Sequence, residues 1–254
     1  MFALERQKRI LEMLATDGAV MVSRLSTELG VTEETIRRDL EKLEAQEMLR
    51  RTHGGAVPFD ENTYELSLEK RKNKNVEPKK NLAKAAAEHI VSGDTVFLDA
   101  STTTFFIAKE IKSIRNVTVI TNSMRIISEL AGVDGIKVIS VGGVASNNQS
   151  FVGNLAEEAI EKNYFASKMF FSSKGVTADA GILESNEAES GIKKKMLRNC
   201  GKKYYLCDKS KIGRVGFVKL ADFVDINVFI TDCDDVEAQL GERLSDADIE
   251  VINI

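Results

Sequence analysis

Six short apolar runs, TVFLD (95–99), VTVIT (117–121), IKVISV (136–141), KMFFS (168–172), KYYLCD (203–208) and DINVFITD (225–232), recur through the last two thirds of the chain. They are rich in β-branched and aromatic residues, as strands are. Segments of helical spacing lie between most of them: NLAKAAAEHI, TFFIAKEI, SMRIISEL, LAEEAIEKN and AESGIKKKMLRN. Strands alternating with helices imply a mostly parallel sheet covered on both faces. Ligands of such α/β sheets bind beyond the carboxyl ends of the strands. Several polar or glycine-bearing motifs here follow immediately after a strand.

Residues 3–58 follow another rhythm, that of three helices and a hairpin. Leu4, Ile10, Leu11 and Leu14 form an apolar stripe at helical spacing, stopped by Asp17-Gly18. Ser23 is expected to cap a short second helix, RLSTEL, ending at Gly30. Thr32 then caps EETIRRDLEKLEAQ, with Ile36, Leu40 and Leu43 on its buried face. Met48-Leu49-Arg50-Arg51 is expected as one strand and Ala56-Val57 as its return, after His53-Gly54-Gly55. The two prolines, Pro58 and Pro78, bracket the lysine-rich stretch EKRKNKNVEPKK (69–80), which has linker composition. A short helix over 61–72 is compatible with packing of Tyr64, Leu66 and Leu68. The expected division is therefore 1–58, a linker over 59–79, and 80–254.

The third helix presents Thr35, Arg37 and Arg38 around its apolar seam, where guanidinium groups reach guanine edges or phosphates if the helix enters a major groove. Arg51, His53 and Gly54 on the hairpin add backbone contacts. Salt bridging on a solvated face is the competing reading of the arginine pair. The neighbouring acids would repel a duplex unless they face inward or pair with basic residues. The formal net charge of −4 does not decide against nucleic acid, because phosphate binding depends on local charge.

No apolar run approaches the roughly 20 residues that span a bilayer, and the charged start lacks a signal-peptide core. Cys200, Cys207 and Cys233 form no C-x-x-C pair and are expected as buried, reduced thiols in a cytoplasmic protein. With only His53 and His89, no metal site and no cofactor are expected.

VTEETIRRDLEKLEAQEMLRRTHGGAV resembles the signature of the DeoR family of bacterial sugar-metabolism regulators, and ERQKRILEML is similar to that family's first helix. Glu47 departs from a usual glycine. The resemblance implies an N-terminal winged helix-turn-helix followed by a mostly parallel α/β sensor domain, similar in fold to ribose-5-phosphate isomerase. It extends over roughly residues 80–254 through Asp99-Ala100-Ser101-Thr102-Thr103, Thr121-Asn122-Ser123, Val141-Gly142-Gly143, Phe151-Val152-Gly153, Lys193 and Asp208-Lys209-Ser210-Lys211.

The implied effector is a phosphorylated sugar. Asp99, Ser101, Thr102, Thr103, Asn122, Gly142, Gly143, Lys193, Asp208 and Lys211 would contact it, with Glu189 preceding Lys193. A structural cap remains the alternative for Thr102 and Thr103, and an exposed face for Lys193-Lys194-Lys195. Ser101 and Ser172 stand where the family has glycine. The implied partners are double-stranded operator DNA and further copies of the chain, in a homodimer or higher oligomer, because paired half-sites demand paired readers. The implied function is a repressor of a sugar operon and not an enzyme. The competing reading is a sugar-phosphate isomerase or deaminase using Asp99, Glu184, Glu187 or Glu189 as base, and fold similarity alone does not carry such activity. A purely structural nucleoid protein has little use for so large a second domain.

Overall fold

The computed structural model describes residues 2–46, 48–58 and 67–254, which divide into two compact units, Met1–Leu66 and Ser67–Ile254. The first contains α1 (Ala3–Asp17), β1 (Val20–Met21), α2 (Val22–Leu29), α3 (Glu33–Ala45), β2 (Leu49–Thr52) and β3 (Gly55–Pro58). Gly18 and Gly30 end α1 and α2 in the left-handed conformation, each N–H returning to a carbonyl of the last turn. Thr32 caps α3 by accepting from the Thr35 N–H. Ile10, Leu14, Leu25, Ile36, Leu40, Leu43 and Leu49 form the core.

Three details differ from the sequence reading. Leu4 is exposed, not part of the buried stripe. Ser23 lies inside α2, whose N-cap is Met21 without a side-chain cap. The wing has a third strand, β1, pairing antiparallel with β3 through Val20–Ala56 and Met21–Gly55. A two-residue strand carries no periodicity to detect. Glu47 and the 61–66 portion of the expected short helix lie outside the described residues.

The second unit continues with α4 (Leu68–Asn73), α5 (Val76–Ala87), β4 (Thr95–Leu98), α6 (Thr104–Glu110), β5 (Val117–Thr121), α7 (Met124–Leu130), β6 (Ile136–Ser140), β7 (Val144–Ala145), β8 (Phe151–Val152), α8 (Asn154–Asn163), β9 (Ala166–Phe171), β10 (Gly175–Thr177), β11 (Gly181–Glu184), α9 (Glu187–Arg198), β12 (Cys200–Cys207), β13 (Val218–Ala221), β14 (Val228–Thr231), α10 (Val236–Leu240), α11 (Glu242–Ser245) and β15 (Glu250–Asn253). Seven strands form one sheet in the order β15-β14-β12-β9-β4-β5-β6, every pairing parallel.

Alternation along the strands divides their side chains between two cores. Val96, Leu98, Phe170, Tyr204 and Leu206 pack with α5, α6 and α7. Phe97, Met169, Phe171, Tyr205 and Cys207 pack with α8, α9 and α10 on the other face. Burial on both faces explains why these strands read as continuous apolar runs. The small sheet β10-β11-β13, the β7-β8 ribbon, β15, α10 and α11 were not anticipated.

The lysine-rich stretch is helical and begins the second unit. Ser67 caps α4, Leu68 is buried, and Pro78 falls in the first turn of α5, where its missing N–H costs nothing. Its composition misleads because Lys79 is buried, its Nζ donating to the carbonyls of Arg71 and Lys74 at 2.6 Å each. Among the described residues, no helix is long and apolar enough to cross a membrane.

Candidate effector site and DNA-reading surface

From β4 the sheet grows in one direction through β5 and β6, and in the other through β9, β12, β14 and β15. The carboxyl ends of β4 and β9 therefore flank a topological switch point, where α/β folds open a crevice. Asp99 follows β4 and Ser172 follows β9, and both are fully buried. The Asp99 carboxylate accepts from the Ser101 N–H (3.1 Å), the Thr104 hydroxyl (2.8 Å) and the Ser172 N–H (3.2 Å).

Lys193, projecting from α9, is buried and not on an exposed face. Its ammonium lies 2.9 Å from Asp99 Oδ2, pairs closely with Glu184 from β11, and donates to the Ser172 carbonyl at 2.7 Å. Burial opposes the lysine's charge, but Asp99 and Glu184 outweigh it and hold Lys193 above its ordinary value. Burial likewise opposes charge on Asp99, yet Lys193 and the hydrogen bonds keep that carboxyl below the usual range.

Lys211 closes the turn after β12. Its Nζ donates to Ser172 Oγ at 2.7 Å and stands 4.0 Å from Asp208 Oδ2. The nearest partner of this cation is thus a neutral hydroxyl. Asp208 is buried and accepts from Ser210 and, at 3.0 Å, from Asn75. Against the opposing effect of burial, Lys211 and Ser210 hold it below its ordinary value. Glu189 is also buried and bonded to the Ser150 hydroxyl; burial pushes it up, toward the neutral acid.

Among the described residues, four buried side-chain atoms lack a hydrogen-bond partner: Thr103 Oγ1, Asn122 Oδ1, Ser190 Oγ and Asp208 Oδ2. Three follow strands of the main sheet (β4, β5 and β12), and Ser190 is in the first turns of α9. Each such atom costs about 1–3 kcal/mol when left dry. Native folds keep few of them, and ordered water or a bound polar group ordinarily satisfies such atoms. Asn122 is held by its amide, which donates to the Phe151 carbonyl at 3.1 Å.

Other expected contacts have internal work. The Ser101 hydroxyl bonds Thr104 Oγ1 at 2.9 Å and accepts from the Thr104 N–H at 3.2 Å, closing the loop on itself. A Cβ on Gly143 would meet the Val152 carbonyl oxygen at 2.7 Å and Ala156 Cβ at 2.9 Å, so this glycine permits close packing of β8 and α8. Gly142 faces open space, and Thr102 is buried beside Thr103. Cys200 and Cys207 are buried free thiols, pushed up to about 12 by burial.

In the first unit, α3 resolves the problem of its acids. Asp39 faces inward and is buried, accepting from Arg6 Nε at 2.5 Å and Gln7 at 2.9 Å. Glu33 and Glu34 pair at i,i+4 with Arg37 (2.7 Å) and Arg38 (3.3 Å) on the solvent side. Exposed pairs of this kind hold by only about 0.3–0.5 kcal/mol, so both arginines can exchange a carboxylate for a phosphate or base. Arg51 on β2 pairs with Glu41 at 2.7 Å, while His53 and Gly54 form the exposed hairpin tip. Gly55 is not part of an open tip: a Cβ there would lie 1.9 Å from the Val20 carbonyl oxygen.

Two family models match. Residues 6–62 fit the DeoR-like helix-turn-helix domain, and residues 74–233 fit the DeoR C terminal sensor domain. The chain belongs to the DeoR family. It is 42% identical over 233 residues to the uncharacterized HTH-type transcriptional regulator YulB of Bacillus subtilis (strain 168), covering 91% of this chain and 90% of that one. It is 35% identical over 235 residues to the lactose phosphotransferase system repressor of Streptococcus mutans serotype c, covering 91% and 92%. Among solved structures, ribose 5-phosphate isomerase A from Methanocaldococcus jannaschii aligns with TM-score 0.40 at 15% identity, over 54% of this chain and 55% of that one.

This DeoR-family chain is a DNA-binding transcriptional regulator. Its sheet brings Asp99, Lys193, Lys211 and Asp208 into one network through Ser172. That serine is the link: its hydroxyl accepts from Lys211 and donates to the Leu206 carbonyl at 2.6 Å. Sequence reasoning missed Ser190, Asn75 and Lys79. Ser190 sits between two motif residues, Glu189 and Lys193, and that placement was a usable signal. Asn75 and Lys79 lie inside the stretch whose composition reads as a linker.

Proposed function

We propose that the chain is an operator-binding repressor of a sugar or sugar-derivative catabolic operon, controlled by a phosphorylated sugar and acting in the cytoplasm as a homodimer or higher oligomer. The observation that carries the effector reading is the set of unpartnered buried atoms on Thr103, Asn122, Ser190 and Asp208, beside a lysine whose nearest partner is uncharged. Hydroxyls of a sugar match the first; a phosphate matches Lys211. Asp99 and Lys193 would orient the polyol, and Thr102 and Gly142 would line the approach.

Thr35, Arg37, Arg38, Arg51, His53 and Gly54 are the proposed DNA contacts. The arginines' exposure and weak pairing support that role. Catalysis through Asp99 or Glu184 is disfavoured because both neutralise Lys193, which leaves neither as a free base.

Thermal shift and calorimetry with phosphorylated sugars and their unphosphorylated counterparts test the sensor. Saturable stabilisation by one phosphorylated compound, lost in Lys211→Met, is expected. Equal stabilisation by the unphosphorylated sugar would contradict the phosphate assignment, and sustained turnover of any sugar phosphate would overturn the non-enzymatic reading.

A further inference from the structure

The segment that follows residues 59–66 in sequence is fastened to the candidate effector site at more than one point. Asn75, between α4 and α5, adopts a left-handed backbone (φ 53°), a conformation that asparagine tolerates better than other side-chain-bearing residues. Its amide donates to Asp208 Oδ1 (3.0 Å) and Ser210 Oγ (2.7 Å), 133 and 135 residues away in the chain. Four residues later, Lys79 donates to the Arg71 and Lys74 carbonyls at the end of α4. Arg71 in turn donates to Asn148 Oδ1, in the loop between β7 and β8, at 2.6 Å.

The same Asp208 carboxylate therefore serves two masters. One oxygen holds Asn75, and the other, buried, has no hydrogen-bond partner. A ligand hydroxyl donating to Asp208 Oδ2 draws charge from the oxygen that holds Asn75. A phosphate on Lys211 acts on Lys79 as well. Burial and the nearby Lys211 disfavour the charged form of Lys79, bringing it down to about 8, while Asp208 favours it. An anion placed on Lys211 offsets that repulsion and strengthens the clamp on the α4 carbonyls.

We propose that Asn75 and Lys79 are positioning residues that couple effector occupancy to operator binding: the ligand, by engaging Asp208 and Lys211, resets the α4–α5 junction that the chain enters from the DNA-binding unit. The inference rests on the effector reading above. It places the coupling in the Asn75–Asp208 contact and the Lys79 clamp, not in the lysine content of the segment at large.

The test uses the full-length protein and its Asn75→Gly variant, which keeps the left-handed backbone accessible while removing the amide. Ser210→Ala is the milder second variant, removing one of the amide's two partners, should Asn75→Gly fold poorly. Ribose 5-phosphate, fructose 1-phosphate, fructose 6-phosphate, glucose 6-phosphate and galactose 6-phosphate are screened by thermal shift. The most stabilising compound is then titrated calorimetrically and added to operator-binding assays. The proposal expects the variant to bind that compound within about threefold of wild type, while its operator affinity changes less than about twofold on ligand addition. A wild-type-sized response in the variant overturns the coupling role and leaves the effector site standing. Loss of ligand binding in the folded variant also overturns it, by making Asn75 part of the pocket. Failure of every compound to stabilise the wild type overturns the effector reading and the coupling with it.

Discussion

Lys193 and Asp99 meet at 2.9 Å in the interior of the sensor unit, although they come from α9 and the end of β4, 94 positions apart in sequence. Both are buried, and Glu184 completes the group. A buried ion pair contributes little net stability, but removing one partner strands the other's charge. This pair locks α9 to the switch point of the sheet, and so fixes where Ser190 and Glu189 stand.

Lys193→Met is therefore expected to destabilise the sensor unit by about 3–5 kcal/mol, with Lys193→Met/Asp99→Asn recovering part of the loss. The pH dependence gives a sharper check. In wild type Asp99 titrates below its ordinary value, so its contribution is fully present above the unfolded pKa and is lost as pH falls through the folded one. Without Lys193, only the hydrogen bonds from Ser101, Thr104 and Ser172 oppose burial, and Asp99 titrates higher than in wild type. Its contribution to the slope of stability against pH is then smaller in the acid range, because less carboxylate stabilisation remains to be lost on protonation. Denaturant unfolding of both proteins between about pH 3 and 6 reads the difference; equal slopes would contradict the assigned pairing.

The two wing glycines separate folding from contact. Gly55→Ala brings a methyl to 1.9 Å from the Val20 carbonyl oxygen, whereas Gly54→Ala meets nothing within 4 Å. Gly55→Ala is expected to lower the melting temperature of the first unit and to weaken DNA binding as a consequence. Gly54→Ala is expected to leave melting within about 1 °C, since surface substitutions away from such features stay within about 0.5 kcal/mol. Circular dichroism melts of the two variants decide between these outcomes.

Reading the sequence went furthest where one rule acts at a time. The six strands of the alternating region and Thr32 as a cap were visible because burial on both faces and capping leave local marks. The three-stranded β10-β11-β13 sheet was not, since its strands, GVT, GILE and VKLA, mix apolar residues with glycine or charged ones and give no continuous apolar run. Lys79 shows the opposite failure. Lysines normally mark solvent, and only tertiary contact with the α4 carbonyls makes this one a core residue. The strand-end motifs indicated which residues gather at the switch point. They did not indicate that Ser101 would fold back on Thr104, or that Gly143 would serve packing.

Ser172 ties Lys211 to the network through one hydroxyl. Ser172→Gly removes that bond and restores the residue the family commonly carries. Tighter binding of the phosphorylated effector, by roughly threefold to tenfold on the scale of one hydrogen bond, is the expected calorimetric result. Weaker binding would mean that Ser172 positions Lys211 for the ligand.

The buried thiols Cys200 and Cys207 sit near the ordinary pKa of a thiol only when the chain unfolds. Iodoacetamide at pH 8 is expected to leave both unmodified in the native protein and to label both in denaturant, with mass spectrometry as the readout. Labelling of the native protein at the rate seen in denaturant would contradict the packing of β12.

The measurement that bears most directly on the central claim is fluorescence-anisotropy titration of the protein onto DNA from its own upstream region, at fixed salt, with and without the stabilising sugar phosphate. Tight, competitor-resistant binding that the compound weakens at least tenfold in wild type, and that Arg38→Ala abolishes while keeping ligand-induced stabilisation, is the predicted result. Operator affinity unchanged by a compound that demonstrably occupies the sensor unit, or retained in full by Arg38→Ala, would contradict the account.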